Sequence, residues 1–166
     1  MPFALRDGRL DIALSVEVPT LPELHHELLS EQSLVAVVRA GHSLVRGRVS
    51  AARIARVPRV TVQGAAGGAD PVGEVLDKQS LRSRSLLSVP SAYAALAAVS
   101  GSKSLACVPE GIARAVAAQL RLHVLRLPFP LPRERLSMSW HPRTDVAPGH
   151  EWLREKLRSI LGRSRD

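Results

Sequence analysis

Apolar runs and helix-period segments alternate along the chain from its start to its end. Residues 3–7 have the pattern of a last helical turn stopped by Gly8, and 10–14 that of a strand. Residues 15–22 form a loop with two prolines. Residues 34–38 are a continuous apolar run, as in a strand covered on both faces. A short helix follows over 50–55, then a strand over 59–62 that runs into the Gly-rich segment 64–70. Asp70 and Pro71 form an N-cap and N1 pair for a helix to about residue 79.

The second half continues the alternation. A strand over 85–89 turns at Pro90-Ser91 into a helix over 92–99, apolar nearly all round and so expected to be buried, which Gly101 stops. A strand over 105–108 precedes a helix over 110–120, with Ile112, Val116 and Leu120 at i, i+4 and i+8. Residues 122–127 alternate as a strand, and 129–132 are an extended connector. In 136–140, Leu136, Met138 and Trp140 fall on one face and Ser137 and Ser139 on the other, a half-buried strand that Pro142 ends. The last helix places Trp152, Leu153, Leu157, Ile160 and Leu161 along one stripe, with Lys156 at its edge. The order predicts an α/β protein with a mainly parallel sheet.

At 166 residues and 45% hydrophobic, the chain suits one globular domain or two small lobes. The single cysteine, Cys107, sits among Leu105, Ala106 and Val108 and is read as core. It permits no disulfide framework, which fits a reducing compartment. No run approaches the ~20 apolar residues of a membrane span, and residues 1–9 have no signal-peptide h-region, so a cytoplasmic location is expected. The net charge of +8 suggests an acidic partner such as nucleic acid. The arginines, however, are scattered over expected loops and helix faces, which is read as solvated surface. Among the six histidines, His25 and His26 have no zinc-site companion, and His42 is read as a loop anchor. No nucleophile elbow, P-loop or nucleophile–base pairing occurs, so no enzyme, metal or cofactor is expected.

Four segments in order resemble one family. They are Gly8-Arg-Leu-Asp-Ile-Ala-Leu14, the run from Leu34 through Arg39-Ala-Gly-His-Ser to Leu44, Ser104-Leu-Ala-Cys-Val-Pro-Glu-Gly-Ile-Ala113, and the tail from Leu136 through Trp140-His-Pro-Arg to Trp152. Together they resemble the effector-binding domain of LysR-type transcriptional regulators. The tail and Val89-Pro90-Ser91 are most similar to the branch responding to aromatic or nitroaromatic acids. The resemblance implies a type 2 periplasmic-binding-protein-like fold of two lobes. Residues 1–45 and 132–166 would form an incomplete first lobe, and 46–131 the second. The family's DNA-binding helix-turn-helix has no counterpart here, so DNA contact is expected only through a missing N-terminal domain. Homo-oligomers are expected, with a small organic acid, aromatic acids included, as effector. A periplasmic-binding-like enzyme or a solute-binding protein is the alternative.

The resemblance also places a ligand in the cleft between lobes, beyond the carboxyl ends of strands. Gln63, Gly64 and Ala65 leave one strand there. Pro90 and Ser91 leave another, where a serine hydroxyl and a helix N-terminus suit a carboxylate. Ser15 follows the first-lobe strand. Ser91 also reads as a plain helix cap and Gly64 as a plain turn. His141, after Trp140, is a further candidate for ligand contact, against a purely structural role. Lys103, where the family usually has Asp, is read as a surface change.

Overall fold

The computed structural model describes residues 2–16, 21–63 and 70–162. Its strands are β1 (Ile12–Ser15), β2 (His25–Gln32), β3 (Leu34–Arg39), β4 (Arg59–Val62), β5 (Ser85–Val89), β6 (Leu105–Pro109), β7 (Leu122–Leu125) and β8 (Glu134–Trp140). Its α-helices are α1 (Pro2–Arg6), α2 (Ala51–Ala55), α3 (Pro71–Lys78), α4 (Ala92–Ser100), α5 (Glu110–Val116) and α6 (Pro148–Leu161). Short 3₁₀ turns lie at Ser43–Val45 and Pro142–Thr144. The chain divides into two units: residues 1–32 with 134–166 (unit 1), and 33–133 (unit 2).

Unit 2 is built on a five-stranded sheet in the order β5-β4-β6-β3-β7. β4 is parallel to β5 and β6, whereas β3 runs against both its neighbours, β6 and β7. Four strands therefore point one way and the reversed β3 lies among them. The sheet is mixed, a correction to the expectation of mainly parallel sheets. β3 belongs to unit 2, which starts at residue 33. The apolar run 34–38 supplies the reason, because both faces of β3 are covered. Val35 and Val37 pack on one side with Val60, Ala95, Leu96, Val99 and Val108. Val38 packs on the other with Leu44, Ile54, Val72, Leu76 and Phe129. Each such fully buried Val, Leu or Ile contributes about 1.5–3 kcal/mol.

Helix ends follow the expected chemistry. Ser50 caps α2 and Asp70 caps α3, each side chain accepting from the backbone N–H three residues on. Two expectations fail in detail. α4 is not buried all round: Ala95, Leu96 and Val99 face the sheet, while Tyr93 and Ala97 face solvent. Alanine adds little apolar area, so an apolar helix of this kind can leave a side uncovered. α5 stops at Val116, and residues 117–120 turn into Arg121, which has φ 52°.

Unit 1 is a three-stranded sheet, β1-β8-β2, with both pairings antiparallel, which again corrects the parallel expectation. β2 was not foreseen. Its sequence, His-His-Glu-Leu-Leu-Ser-Glu-Gln, lacks a strand's alternation and carries a bulge between Leu28 and Ser30. As the central strand, β8 is covered on both faces: Ser137, Met138 and Ser139 are all buried, not half-buried as expected. Leu5 of α1 packs with Ala13 and Leu24. After α1, Gly8 takes φ +78°, and a Cβ there would meet the Arg143 guanidinium at 3.3 Å. That guanidinium donates to the carbonyls of Arg6 (2.6 Å) and Leu10 (3.4 Å), tying the turn to the 3₁₀ segment.

α6 packs against expectation. Trp152 is 59% and Ile160 68% exposed, whereas Arg154 is 6% exposed. The Arg154 guanidinium lies 5.1 Å over the Trp140 ring and donates to the carbonyls of Thr144 (3.3 Å) and Asp145 (3.1 Å). Arg158 adds a forked ion pair to Glu27 of β2, at 2.7 and 2.8 Å. Periodicity shows that a helix has two faces. Here stacking and charge-assisted hydrogen bonds, not apolar area, decide which one faces the sheet.

Candidate functional site

The carboxyl ends of β4 and β5 bring three expected residues together. Val62 is paired with Val89, and beyond it the Gln63 N–H donates to the Val89 carbonyl at 2.8 Å. The parallel ladder thus holds Gln63 beside Pro90 and Ser91. Ser91 caps α4: its Oγ accepts from Ala94 N at 3.2 Å, and its carbonyl accepts from Ala95 N. The hydroxyl proton of Ser91 is still available to an acceptor. The first two helix amides, of Ala92 and Tyr93, have no intrahelical acceptor. Pro90, Ser91 and Gln63 are all exposed. Gly64 and Ala65 lie outside the described residues.

Below this end of β4 is a buried ion pair that sequence reading assigned to the solvated surface. Arg59, a strand residue, is 4% exposed. Its Nη1 donates to Asp70 at 2.8 Å and its Nη2 to Ser83 Oγ at 2.9 Å. Asp70 at the same time accepts from Gly73 N at 3.0 Å as the cap of α3. Arg59 therefore ties the start of β4 to the start of α3. An Arg in a four-residue apolar strand eleven residues before an N-cap Asp was the available signal. Cys107 lies near this pair on β6. The residue keeps some solvent contact, but burial pushes its thiol up to about 12, with smaller opposing effects of Arg59 and Asp70.

His42 is buried as a loop anchor. Its Nδ1 accepts from Leu44 N at 3.1 Å and its Nε2 faces the Lys103 carbonyl at 3.2 Å. Lys103 itself is exposed, just before the amino end of β6, opposite the end that carries Gln63 and Ser91.

In unit 1, Ser15 ends β1 opposite Ser137, whereas Trp140 is opposite Ile12 at the other end of that strand. Ser15 and His141 are thus separated by the length of β1, roughly 10 Å or more at ~3.3 Å per residue. His141 caps the 3₁₀ turn, its Nδ1 accepting from Arg143 N at 3.2 Å. Beside Ser15 lies an open cavity of about 420 Å³ lined by Val16, His26, Leu28, Arg135 and Ser137. His26 Nδ1 is 2.9 Å from Ser139 Oγ, and Arg135 pairs with Glu31 at 3.1 Å. Sequence reading missed this cavity because it missed β2. On the other face of the sheet, Asp145 accepts from Trp140 Nε1 (2.7 Å) and lies 2.9 Å from His25 Nε2. The Trp140 bond, then His25, hold its carboxyl below the ordinary 3.8. Among the described residues no group of three or more His, Cys, Asp or Glu side chains could hold a metal ion. No helix there is long and apolar enough to cross a membrane.

The chain and its fold have recognisable relatives. The transcriptional regulator LeuO of Escherichia coli K12 is 26% identical over 164 residues, 96% of this chain and 50% of that one. The chain therefore spans half the length of this curated relative. A transcriptional regulator structure from Vibrio parahaemolyticus superposes with a TM-score of 0.84 at 25% identity, over 98% of this chain and 76% of that one. The regulatory domain of MexT, an activator of Pseudomonas aeruginosa, gives 0.83 at 23% identity, over 97% and 79%. Two structures share the fold at lower identity: the effector-binding domain of QuiR with shikimate (16%, TM-score 0.73) and the CcmR regulatory domain of Synechocystis with 2-PG (14%, 0.74). The family model described as LysR substrate binding domain matches residues 3–161, and the chain belongs to that family.

Proposed function

We propose that this chain senses a small organic acid for a transcription regulator and holds its carboxylate at the carboxyl ends of β4 and β5. The observation that carries this reading is the Gln63 N–H to Val89 carbonyl bond, which sets Gln63 next to Pro90-Ser91. There the Ser91 hydroxyl, the Gln63 amide and the first amides of α4 supply donors to one anion. Gly64 and Ala65 belong to the same proposed site by sequence. Ser15, beside the unit 1 cavity, is proposed as a contact residue within that unit alone. QuiR and CcmR, which share this fold, hold shikimate and 2-PG. An aromatic ring on the acid is favoured by the resemblance of Val89-Pro90-Ser91 and the tail to the aromatic-responsive branch. In a complete regulator, ligand binding would shift an oligomer's geometry and re-aim separate DNA-binding domains.

The test is a thermal melt with aromatic and aliphatic carboxylates, shikimate included. A ligand at about 100 times its Kd adds roughly 2.7 kcal/mol. Ser91→Gly removes the hydroxyl at a capping cost of a few tenths of a kcal/mol, and Gln63→Ala removes the amide. One chemical class should raise the wild-type Tm, and both variants should lose most of that rise. No response to any acid, or an undiminished response in both variants, refutes the reading.

A further inference from the structure

Charge divides sharply between the two units. Unit 2 carries 14 Lys and Arg against 4 Asp and Glu, a net +10; unit 1 carries 9 against 11, a net −2. From Gln32 to residue 69 there is no acidic residue at all. The topology then gathers the cations at one end of the five-stranded sheet. β3 leaves the sheet where β4, β5, β6 and β7 begin, because β3 alone is reversed. Hydrogen bonds lock the loops of this rim together. Ala40 N donates to the Arg121 carbonyl at 2.8 Å, Arg59 N to the Arg84 carbonyl at 2.8 Å, and Leu105 N to the Pro58 carbonyl at 3.0 Å. His42 reaches the Lys103 carbonyl. Arg53 donates to the carbonyls of Arg48 and Ser43, both at 2.7 Å, which fixes the loop bearing Arg46 and Arg48.

The result is an exposed row of Arg46, Arg48, Arg56, Arg84, Lys103 and Arg121. None of the six is in an ion pair among the described residues. Unit 2 has four acids: Asp70 is paired with Arg59, Glu110 with Arg114, and Glu74 and Asp77 are both on α3. We infer that this rim is a surface for the phosphate backbone of duplex nucleic acid, separate from the acid site at the opposite end of the same strands. Five strands about 4.8 Å apart span roughly 19 Å, which is about five or six phosphates of one strand at ~3.4 Å each. Guanidinium groups suit phosphate oxygens by their forked donors. The rim has no aromatic side chain on which bases could stack, which favours duplex over single strand. It also presents no long helix to enter a major groove, so binding is independent of sequence.

The experiment is fluorescence anisotropy of a labelled random-sequence duplex of about 25 base pairs, titrated with the whole chain across a range of salt. Two triple variants of equal charge are compared: Arg46→Ala/Arg48→Ala/Arg56→Ala on the rim, and Arg9→Ala/Arg126→Ala/Lys156→Ala elsewhere. Circular dichroism confirms that both are folded. With all six cations engaged, log K falls against log[salt] with a slope of about −5. The rim triple should reduce that slope by about 2.7 and weaken binding at least tenfold, whereas the control should keep the wild-type slope. Equal loss in both triples would show a net-charge effect and overturn the inference. So would no duplex binding at low salt, including the case where sedimentation shows salt-sensitive self-association, which would assign the rim to a second copy's acidic unit 1.

Discussion

Asp70→Asn keeps an acceptor at the cap of α3 and removes the charge that faces Arg59. The survivor of that change is a guanidinium whose side chain is 5% exposed, left with Ser83 and no carboxylate. Among the described residues Arg59 Nε is already buried without a partner. Stranding a buried charge in this way costs about 3–5 kcal/mol. Arg59→Met is the unequal counterpart. It strands Asp70, whose side chain is 34% exposed and reached by water, so the loss is nearer the ~1.5–3 kcal/mol of a hydrogen bond to a charged group. The double variant should lie close to Arg59→Met alone, because an unpaired Asn is not an unpaired charge. Both tryptophans lie in unit 1, so unit 2 is followed by far-UV circular dichroism in urea and by thermal melts. At ~4–8 °C per kcal/mol for a unit of this size, Asp70→Asn should lower Tm by more than about 10 °C. If Asp70→Asn costs no more than Arg59→Met, or if the two losses simply add, the pair is not coupled as described.

Gly73→Ala should also destabilise unit 2. Its Cβ would lie 2.7 Å from Asp70 Oδ2 and 3.1 Å from Arg59 Nη2, for an overpacking cost of about 1–3 kcal/mol in a urea titration. Cys107, with its thiol raised to about 12 by burial, should resist Ellman's reagent at pH 8 until the chain is unfolded. The Arg158 bond holds Glu27 below its ordinary 4.5. The stability this contributes is present above 4.5 and is lost as pH falls through the lower folded value. With side chains 32% and 42% exposed, it is worth less than ~1 kcal/mol. The Tm gap between wild type and Glu27→Gln should therefore be small at pH 7 and close as pH falls well below 4.5.

What could be read in the sequence follows from how each element is held. β3 and β6 are apolar because both faces are covered, and their runs were visible. The caps at Asp70 and Ser91 were visible because a side-chain oxygen in front of a helix has few other uses. β2 was invisible because its partner β8 lies a hundred residues away and its own residues are polar and irregular. The packed face of α6 was misread because Arg154, with Trp140 beneath it, does what a leucine stripe was expected to do. For the acid site, adjacency of Gln63 and Ser91 required the β4–β5 register, which no local pattern encodes. The basic rim required the direction of β3, since only a reversed strand delivers its Arg-rich loop to the end where the others begin.

The pairing of Gln32 with Glu134 at the foot of unit 1 has a consequence for how the molecule is made. Unit 2 is emitted whole between those two residues and can close its own sheet as soon as β7 is complete. β1 and β2 cannot, because β8, the strand between them, is not yet synthesised. At about 5–20 residues per second, β2 waits roughly 5–20 s for its partner. During that time the folding of unit 2 can bring its two ends together, so that β8 emerges beside strands already held in reach instead of closing a hundred-residue loop. Unit 1 is thus the last part of the molecule to take shape, and a ribosome that stalls before residue 134 would leave it with two strands and nothing to join them.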